Sequence, residues 1–441
     1  MKKYFGVILC VVCVIFLLNA FFIPVNADWS MYRSGPSRTG VGTGNIETVP
    51  TLLWKSNITW EQIQGAIEEI HTFTTPAVVD GVVYICSSSL AQTSNSGSFL
   101  WCDAYALNAT NGAEIWDYMI NSTDLLSDPA VFNGVVYFGS DGAVYALSAS
   151  NGALLWNSTS PNPIGQSSPA VVDGVVYIGG FAGVVYALNA TNGDIIWNVT
   201  AGTNVGWSSP AVVDGVVYIG SEDNNIYALN ANSGSQLWKS NVDGWVAASP
   251  AVANGVVYVS SPDGNIYALN TATGHRLWKF YTLGGRGTSP LAVANGLVYF
   301  DSYNGNDYAL NAATGKKVWN ITIGTGTGTP PIVVGEIVIT ARPNPSGIYG
   351  LNAENGAVIW VYPTNNTGET VVDNGIMYFG ADQVYALASL PSSSPSPSLA
   401  PSPSIPEFPA QSLIIMVIVF AAIVLSVVII AKKRINSKLG E

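Results

Sequence analysis

Side chains able to do chemistry are few and widely spaced in this chain of 441 residues. The only histidines are His71 and His275. A zinc centre or a histidine-based triad needs further partners that the chain does not offer them, so both read as surface residues. Of the four cysteines, Cys10 and Cys13 lie in an apolar leader, and Cys86 and Cys102 belong to the body. Outside a cell, two thiols flanking one long hairpin loop, 87–101, point to a disulfide ahead of a metal site, with unbridged thiols as the other reading. Segments linking successive units of the chain carry Gln166, Trp207, Asp243, Trp245 and Arg286. Aromatic faces beside an amide, a carboxylate and a guanidinium suit a ligand or peptide site; the plainer reading is loop packing. Glu222, Asp223 and Asp263 fall in tight turns, where a calcium ion would need more oxygen ligands than the local sequence supplies. No catalytic residue and no metal site is assigned.

Sequons place candidate glycans on Asn57, Asn121, Asn157, Asn198, Asn320 and Asn365. Asn157, Asn198 and Asn320 each directly follow a tryptophan that ends a unit. That puts them on an outermost strand, where sugars would block edge-to-edge pairing. Asn108 and Asn189 also carry the sequon but sit in repeat turns and suit turn hydrogen bonds.

The elements that must position these residues repeat along the chain. A turn glycine recurs as Gly81, Gly134, Gly174, Gly215, Gly255, Gly296, Gly335 and Gly375, in steps of about 40 residues after a longer first step. A closing tryptophan recurs as Trp54, Trp116, Trp156, Trp197, Trp238, Trp278, Trp319 and Trp360. Asp-Gly and Asn-Gly pairs at 80–81, 133–134, 173–174, 214–215, 254–255 and 374–375 suit two-residue hairpin turns, which need positive φ. Strands such as Val-Val-Tyr-Ile are apolar on both faces, as in sheets buried on both sides. Four-stranded antiparallel units of this length predict a β-propeller. The two markers are offset: Trp54 precedes any hairpin, and the last hairpin has no tryptophan after it. Residues 369–390 supply three strands and Thr51–Trp54 supply the missing fourth. The prediction is eight blades, the eighth shared between the two ends of the fold.

The ends read differently. Residues 1–27 have a basic start, an apolar run and small Ala27, as in a signal peptide cut before Asp28. Residues 391–410 are rich in proline and serine and read as an extended stalk. Residues 411–431 carry no charge over a length that spans a bilayer, and the basic tail 432–441 that follows sets a cytoplasmic C-terminus with the body outside. Removing the +2 of Lys2 and Lys3 and the net +3 of residues 432–441 from the total of −12 leaves −17 for residues 28–431. Such a surface argues against nucleic acid as a partner.

Units such as Tyr-Ala-Leu-Asn-Ala-Thr-Asn-Gly-Asp-Ile-Ile-Trp197 and Tyr-Ala-Leu-Asn-Thr-Ala-Thr-Gly-His-Arg-Leu-Trp278 resemble the tryptophan-docking motif of the pyrroloquinoline quinone (PQQ) repeat family. The opening Trp29-x-Met31-x-Arg33 … Arg38-Thr39-Gly40 is similar to the leader of many such propellers. The resemblance, over residues 29–390, implies an eight-bladed fold in which each tryptophan packs on the neighbouring blade. The family holds quinoprotein dehydrogenases of alcohols and sugars as well as non-enzymatic scaffolds. The alcohol-dehydrogenase branch carries an adjacent Cys-Cys disulfide, a calcium held by Glu and Asn, and an Asp base. This chain has no Cys-Cys pair and no long cap loops, which leads to the expectation of a binding scaffold without catalysis or cofactor, its partners being envelope or extracellular proteins or polymers. The alternative is a PQQ- and Ca²⁺-dependent oxidoreductase. Pro406-Glu407-Phe408-Pro409 before the apolar run resembles an archaeal PEF-type sorting signal, which implies replacement of the membrane helix by a lipid-type anchor.

Overall fold

The computed structural model describes residues 31–58, 66–93, 98–120, 126–140, 142–159, 164, 166–282, 289–326, 328–364 and 368–389. The expected signal peptide, stalk, membrane helix and basic tail lie outside these residues, as do Arg286, Asn121 and Asn365. Among the described residues no helix is long and apolar enough to cross a membrane.

Each run of about 40 residues folds because its turns are chemically fixed. Asp173 and Gly174 adopt φ of 50° and 76°, and the equivalent pairs Asp214–Gly215 and Asn254–Gly255 do the same. Both central residues of such a turn need positive φ, which Asp, Asn and Gly tolerate best. In blade 3 the turn joins Ala170–Val172 to Val175–Gly179, followed by Val184–Asn189 and Ile195–Thr200 in one antiparallel sheet. The first three strands are mostly buried, and the fourth alternates exposed and half-buried residues. That gradient runs from the axis of a ring to its rim.

Eight such sheets are present. Blades 1 to 7 begin at Ala77, Ala130, Ala170, Ala211, Ala251, Ala292 and Ile332. Blade 8 holds Thr370–Asp373, Ile376–Gly380 and Val384–Ala388, and its fourth strand is Thr51–Lys55 from the other end of the chain. Thr51 lies opposite Ala388 and Trp54 opposite Ala386, with a register shift between Leu52 and Trp54. Blade 3 has the same shift next to its tryptophan, where Ala187 faces Trp197 and Leu188 faces Ile195. The borrowed strand therefore copies the regular one residue for residue, and the ring has no free blade edge at its seam.

The core lies between blades. Tyr177, Val185 and Ala187 of blade 3 pack on Val212, Val217, Ile219 and Leu229 of blade 4. Each tryptophan fastens the same junction: Trp197 Nε1 donates to the Ala231 carbonyl at 2.8 Å, and Tyr177 Oη donates to that oxygen at 3.2 Å. Trp116, Trp156, Trp238, Trp278 and Trp319 repeat the bond to Ala149, Ala190, Thr271, Ala312 and Ala353. Trp54 reaches Ala109, and Trp360 reaches Ile46. Gly234 lies under the Trp197 ring, where a Cβ would come within 2.7 Å of it.

Blade 1 departs from the expected pattern. Val82–Thr93 and Ser98–Asn108 run far past the point where the repeat would turn, so residues 87–93 and 98–101 are strand rather than loop. Ala66–Phe73, a strand not foreseen, pairs with this extension, and His71 lies in it opposite Ser89. The extended register also decides the cysteines. Cys86 faces Ala104 and Cys102 faces Ser88, two positions out of step. The disulfide expected between Cys86 and Cys102 is therefore not formed, and both residues are buried thiols.

Candidate functional site

A channel runs down the axis of any ring of blades, bordered by innermost strands whose backbone groups have no neighbour strand. Here residues 31–43 fill that need. The backbone N–H groups of Val212, Val252, Val293 and Val333, the middle residues of four successive inner strands, donate to the carbonyls of Pro36, Ser37, Thr39 and Gly40 at 2.7–2.9 Å. Gly42 N returns a bond to Val333 O, and Gly375 N donates to Thr43 O. The leader thus steps around the axis one blade per residue or two, satisfying buried backbone groups that would otherwise be orphaned.

Its two arginines anchor it. Arg38 spends Nε on Pro210 O, Nη1 on Tyr32 O, and Nη2 on Ser168 O and Pro169 O, at 2.8–3.1 Å. Arg33 Nη2 donates to Leu291 O at 2.6 Å. Both guanidinium groups are buried, and desolvation pulls Arg38 down to about 10, which leaves it charged at neutral pH. Gly40 must be glycine: its φ is +65°, and a Cβ would lie 2.3 Å from Arg33 Nη2.

Above the leader, one position of the repeat faces inward from each blade just before its inner strand. In blades 3, 4 and 5 it is Ser168, Ser209 and Ser249; in blade 1 it is Thr75; in blade 2 Asp128; in blade 8 Glu369. These six residues form one hydrogen-bonded arc. Thr75 Oγ1 donates to Glu369 Oε2 at 2.7 Å, and Thr75 N donates to Asp128 Oδ1 at 2.7 Å. Ser168 Oγ donates to Asp128 Oδ2 at 2.7 Å, Ser168 N to Ser209 Oγ, and Ser209 N to Ser249 Oγ, both at 2.9 Å. All of the arc but Thr75 lines a cavity of about 390 Å³ that Gln166, Tyr32, Phe73 and Trp207 also wall. Trp207 stands at its edge, 45 % exposed, with its ring edge-on to Phe181 at 5.4 Å between centroids.

The two carboxyls keep part of their surface open to this cavity while protein surrounds them on the other sides. Burial, and then repulsion from Asp128, push the Glu369 carboxyl up to about 7, against the Thr75 hydrogen bond and the charge of Arg33. Burial also raises Asp128, against the bonds from Ser168 and Thr75 and the charge of Arg38. Among the described lining residues there is no lysine, arginine or histidine. Among the described residues no three His, Cys, Asp or Glu side chains converge as for a metal.

Of the residues singled out from the sequence, the structure brings Gln166 and Trp207 to this cavity and not Asp243 or Trp245. Asp243 instead takes Lys279 Nζ at 2.7 Å and Arg276 at 3.6 Å on the surface, which holds its carboxyl below the usual range. Trp245 is exposed, its own carbonyl accepting from Ser261 Oγ. Asp223 and Asp263 accept Tyr227 Oη and Tyr267 Oη within their turns. Asn57, Asn157, Asn198 and Asn320 are exposed, and Asn108 and Asn189 accept turn bonds from Thr110 N and Thr191 N. His275 sits in an outer turn, its N–H bonded to Thr273 Oγ1. Asp128 and Glu369 went unremarked in the sequence. Their signal was substitution within the repeat: an acid stands at a position that reads Ser-Pro in three other copies, as Ser127-Asp128-Pro129 beside Ser208-Ser209-Pro210 shows.

Eight docked blades around a leader-filled axis define a PQQ-type repeat propeller. The chain belongs to the repeat family whose model is described as Outer membrane protein assembly factor BamB, matched over residues 102–198, 181–287 and 263–394. Among solved structures it is similar to BamB from Moraxella catarrhalis, at 20% identity and a TM-score of 0.55, covering 74% of this chain and 97% of that one. It is also similar to quinohemoprotein alcohol dehydrogenase from Comamonas testosteroni, at 15% identity and a TM-score of 0.65, covering 86% and 84%. A europium-containing methanol dehydrogenase matches at 14% identity and a TM-score of 0.64, covering 81% and 90%. No curated protein matches by sequence. These likenesses establish the fold and include both an assembly factor and dehydrogenases, so they do not choose between the two.

Proposed function

We propose that the chain is a non-catalytic binding scaffold: a propeller held outside the cell on its stalk and C-terminal anchor, taking a ligand or partner group at the axial cavity. The observation that carries this reading is the chemistry of the cavity wall. PQQ is a planar tricarboxylate, and the wall opposite it would present Asp128 and Glu369 with no described cation among the lining residues. One Ca²⁺ would offset only two of up to five negative charges. Arg33 and Arg38 stand behind the wall, but the donors Arg38 has are taken by backbone carbonyls and Arg33 Nη2 is bonded to Leu291 O. Neither arginine lines the cavity, and Arg38 has no fork left for a ligand carboxylate. The residues present do not fit the cofactor. Sugars on the exposed Asn57, Asn157, Asn198 and Asn320 would protect the rim, and envelope proteins or extracellular polymers are the proposed partners.

The test is to add PQQ and Ca²⁺ to the full-length protein and record the quinone absorbance and dye-linked oxidation of alcohols and sugars. The scaffold reading expects neither binding at micromolar PQQ nor turnover. Bound quinone with turnover overturns it in favour of an oxidoreductase.

A further inference from the structure

We infer that the axial cavity recognises a primary alkylammonium group, by setting it between the Asp128 and Glu369 carboxylates with the Trp207 face at the entrance. The inference rests on the binding-scaffold reading and names the chemistry of its ligand. Three observations converge on it. First, the wall is rich in acceptors. The hydroxyls of the arc are already committed as donors or acceptors within the arc and to backbone, Ser168 to Asp128 and Ser209 to the Ser168 N–H. The charged groups that remain to meet a ligand are the two carboxylates, both of which line the cavity; the Thr75 bond engages Oε2 of Glu369. An ammonium has three donors and no acceptor, the complement of such a wall.

Second, the two acids are placed rather than scattered. They occupy one repeat position in blades 2 and 8, and Thr75 of the blade between holds both. Their nearby positive charges, Arg33 and Arg38, lie on the leader, bond to the Leu291, Pro210, Tyr32, Ser168 and Pro169 carbonyls, and do not line the cavity. The ligand side of the pair is without a described cation. Third, Trp207 is large, aromatic and nearly half exposed at the edge of the same cavity. An indole face beside carboxylates attracts a cation and the alkyl chain behind it, and repels an anion.

A proton signature accompanies the geometry. Glu369 faces Asp128, Thr75, Arg33 and, further off, Asp301, and is pushed up to about 7 chiefly by burial. A carboxyl raised this far is partly protonated at neutral pH, and a cation that favours the carboxylate expels protons on binding.

The experiment is isothermal titration calorimetry of the full-length protein in nonionic detergent. Putrescine is the probe, glutarate and erythritol are the dianionic and neutral controls, and each titration is run at pH 7 in phosphate and in MOPS, neither of which is a primary amine. The expected result is binding of putrescine alone, with heats that differ between the two buffers. Glu369→Gln should weaken binding at least tenfold and abolish the buffer difference, and Trp207→Leu should weaken it several-fold without touching the buffer difference. The Gln side chain keeps the Thr75 contact, and an unchanged melting temperature certifies the fold of the variant. Should glutarate or erythritol bind instead, the ammonium assignment fails while the cavity remains a binding site. Putrescine binding that is indifferent to Glu369→Gln overturns the inference. If none of the three binds, the inference falls, and the scaffold reading is then decided separately by the PQQ titration. A peptide with a single lysine, tested against putrescine, tells whether the ammonium comes from a small molecule or a partner's side chain.

Discussion

Asp128 and Glu369 are 241 positions apart in the chain and are joined through one residue: Thr75 donates its backbone N–H to the first and its hydroxyl to the second, each at 2.7 Å. The arrangement exists only because the ring closes, since Glu369 belongs to blade 8, Thr75 to blade 1 and Asp128 to blade 2.

That relationship predicts how stability depends on pH. A carboxyl raised from its ordinary value to about 7 in the folded chain keeps a proton that the unfolded chain gives up near the usual glutamate value. Between these two values the folded state binds more protons, so the contribution of Glu369 to stability is present in acid and is lost as pH rises through 7. Glu369→Gln removes the dependence. Chemical denaturation at pH 5 and pH 8 should show the wild type losing more stability over that interval than the variant; equal losses would show that Glu369 titrates normally.

The shared carbonyl at each blade junction predicts non-additive mutations. Ala231 O accepts from both Trp197 and Tyr177. Trp197→Phe and Tyr177→Phe should each cost about 1 kcal/mol, because the other donor remains. The double variant leaves a buried carbonyl unpaired and should cost more than the sum. Urea denaturation of the four proteins measures this; strict additivity would mean that water replaces the lost donors.

Arg38 is the residue on which the leader depends most. Arg38→Ala leaves the carbonyls of Tyr32, Ser168, Pro169 and Pro210 without their donor, and a loss of about 3–5 kcal/mol follows, as for other broken buried charge networks. Arg38→Lys should not restore it, since an ammonium cannot reproduce a planar fork reaching three directions. Melting temperature and denaturation midpoints check both; full rescue by lysine would refute the geometric argument.

The cysteines give a prediction about access. Cys86 and Cys102 are buried, and desolvation pushes the Cys86 thiol well up, so neither presents a reactive thiolate. A thiol reagent should leave both unmodified in native protein and modify both in urea without any reductant. Labelling that requires reductant would show a bridge.

The repeat, the blade number and the shared eighth blade were legible in the sequence because each rests on local chemistry that recurs: a turn that only Asp, Asn and Gly adopt easily, and a tryptophan at fixed distance from it. Blade 1 was misread where this logic lapses. Residues 87–101 carry no turn signal at the usual place, and the strands run on until Ala66–Phe73 covers their flank. The cysteine pairing failed with it, because register is set by that extension. The axial site was hidden for a different reason. Trp207 drew notice as an aromatic, whereas Asp128 and Glu369 acquire meaning only when the copies are laid over one another at one repeat position, across blades that sequence distance separates. Trp245 and Asp243 belong to a linker that looks the same on paper, but they are exposed and do not line the cavity.

Residues 31–55 find their bonding partners almost entirely beyond residue 160: Val212, Val252, Val293, Val333, Val372 and the strand 384–388. A segment that precedes every blade in the chain is thus the one completed last. Seven blades can dock on their neighbours in order, but the axis and the seam must wait for the final hairpin, and loop closure of that length makes the step slow. A chain that emerges residue by residue presents this segment with no partner to receive it, an adhesive strand in search of an edge, until the far end of the fold follows and the ring is sealed around it.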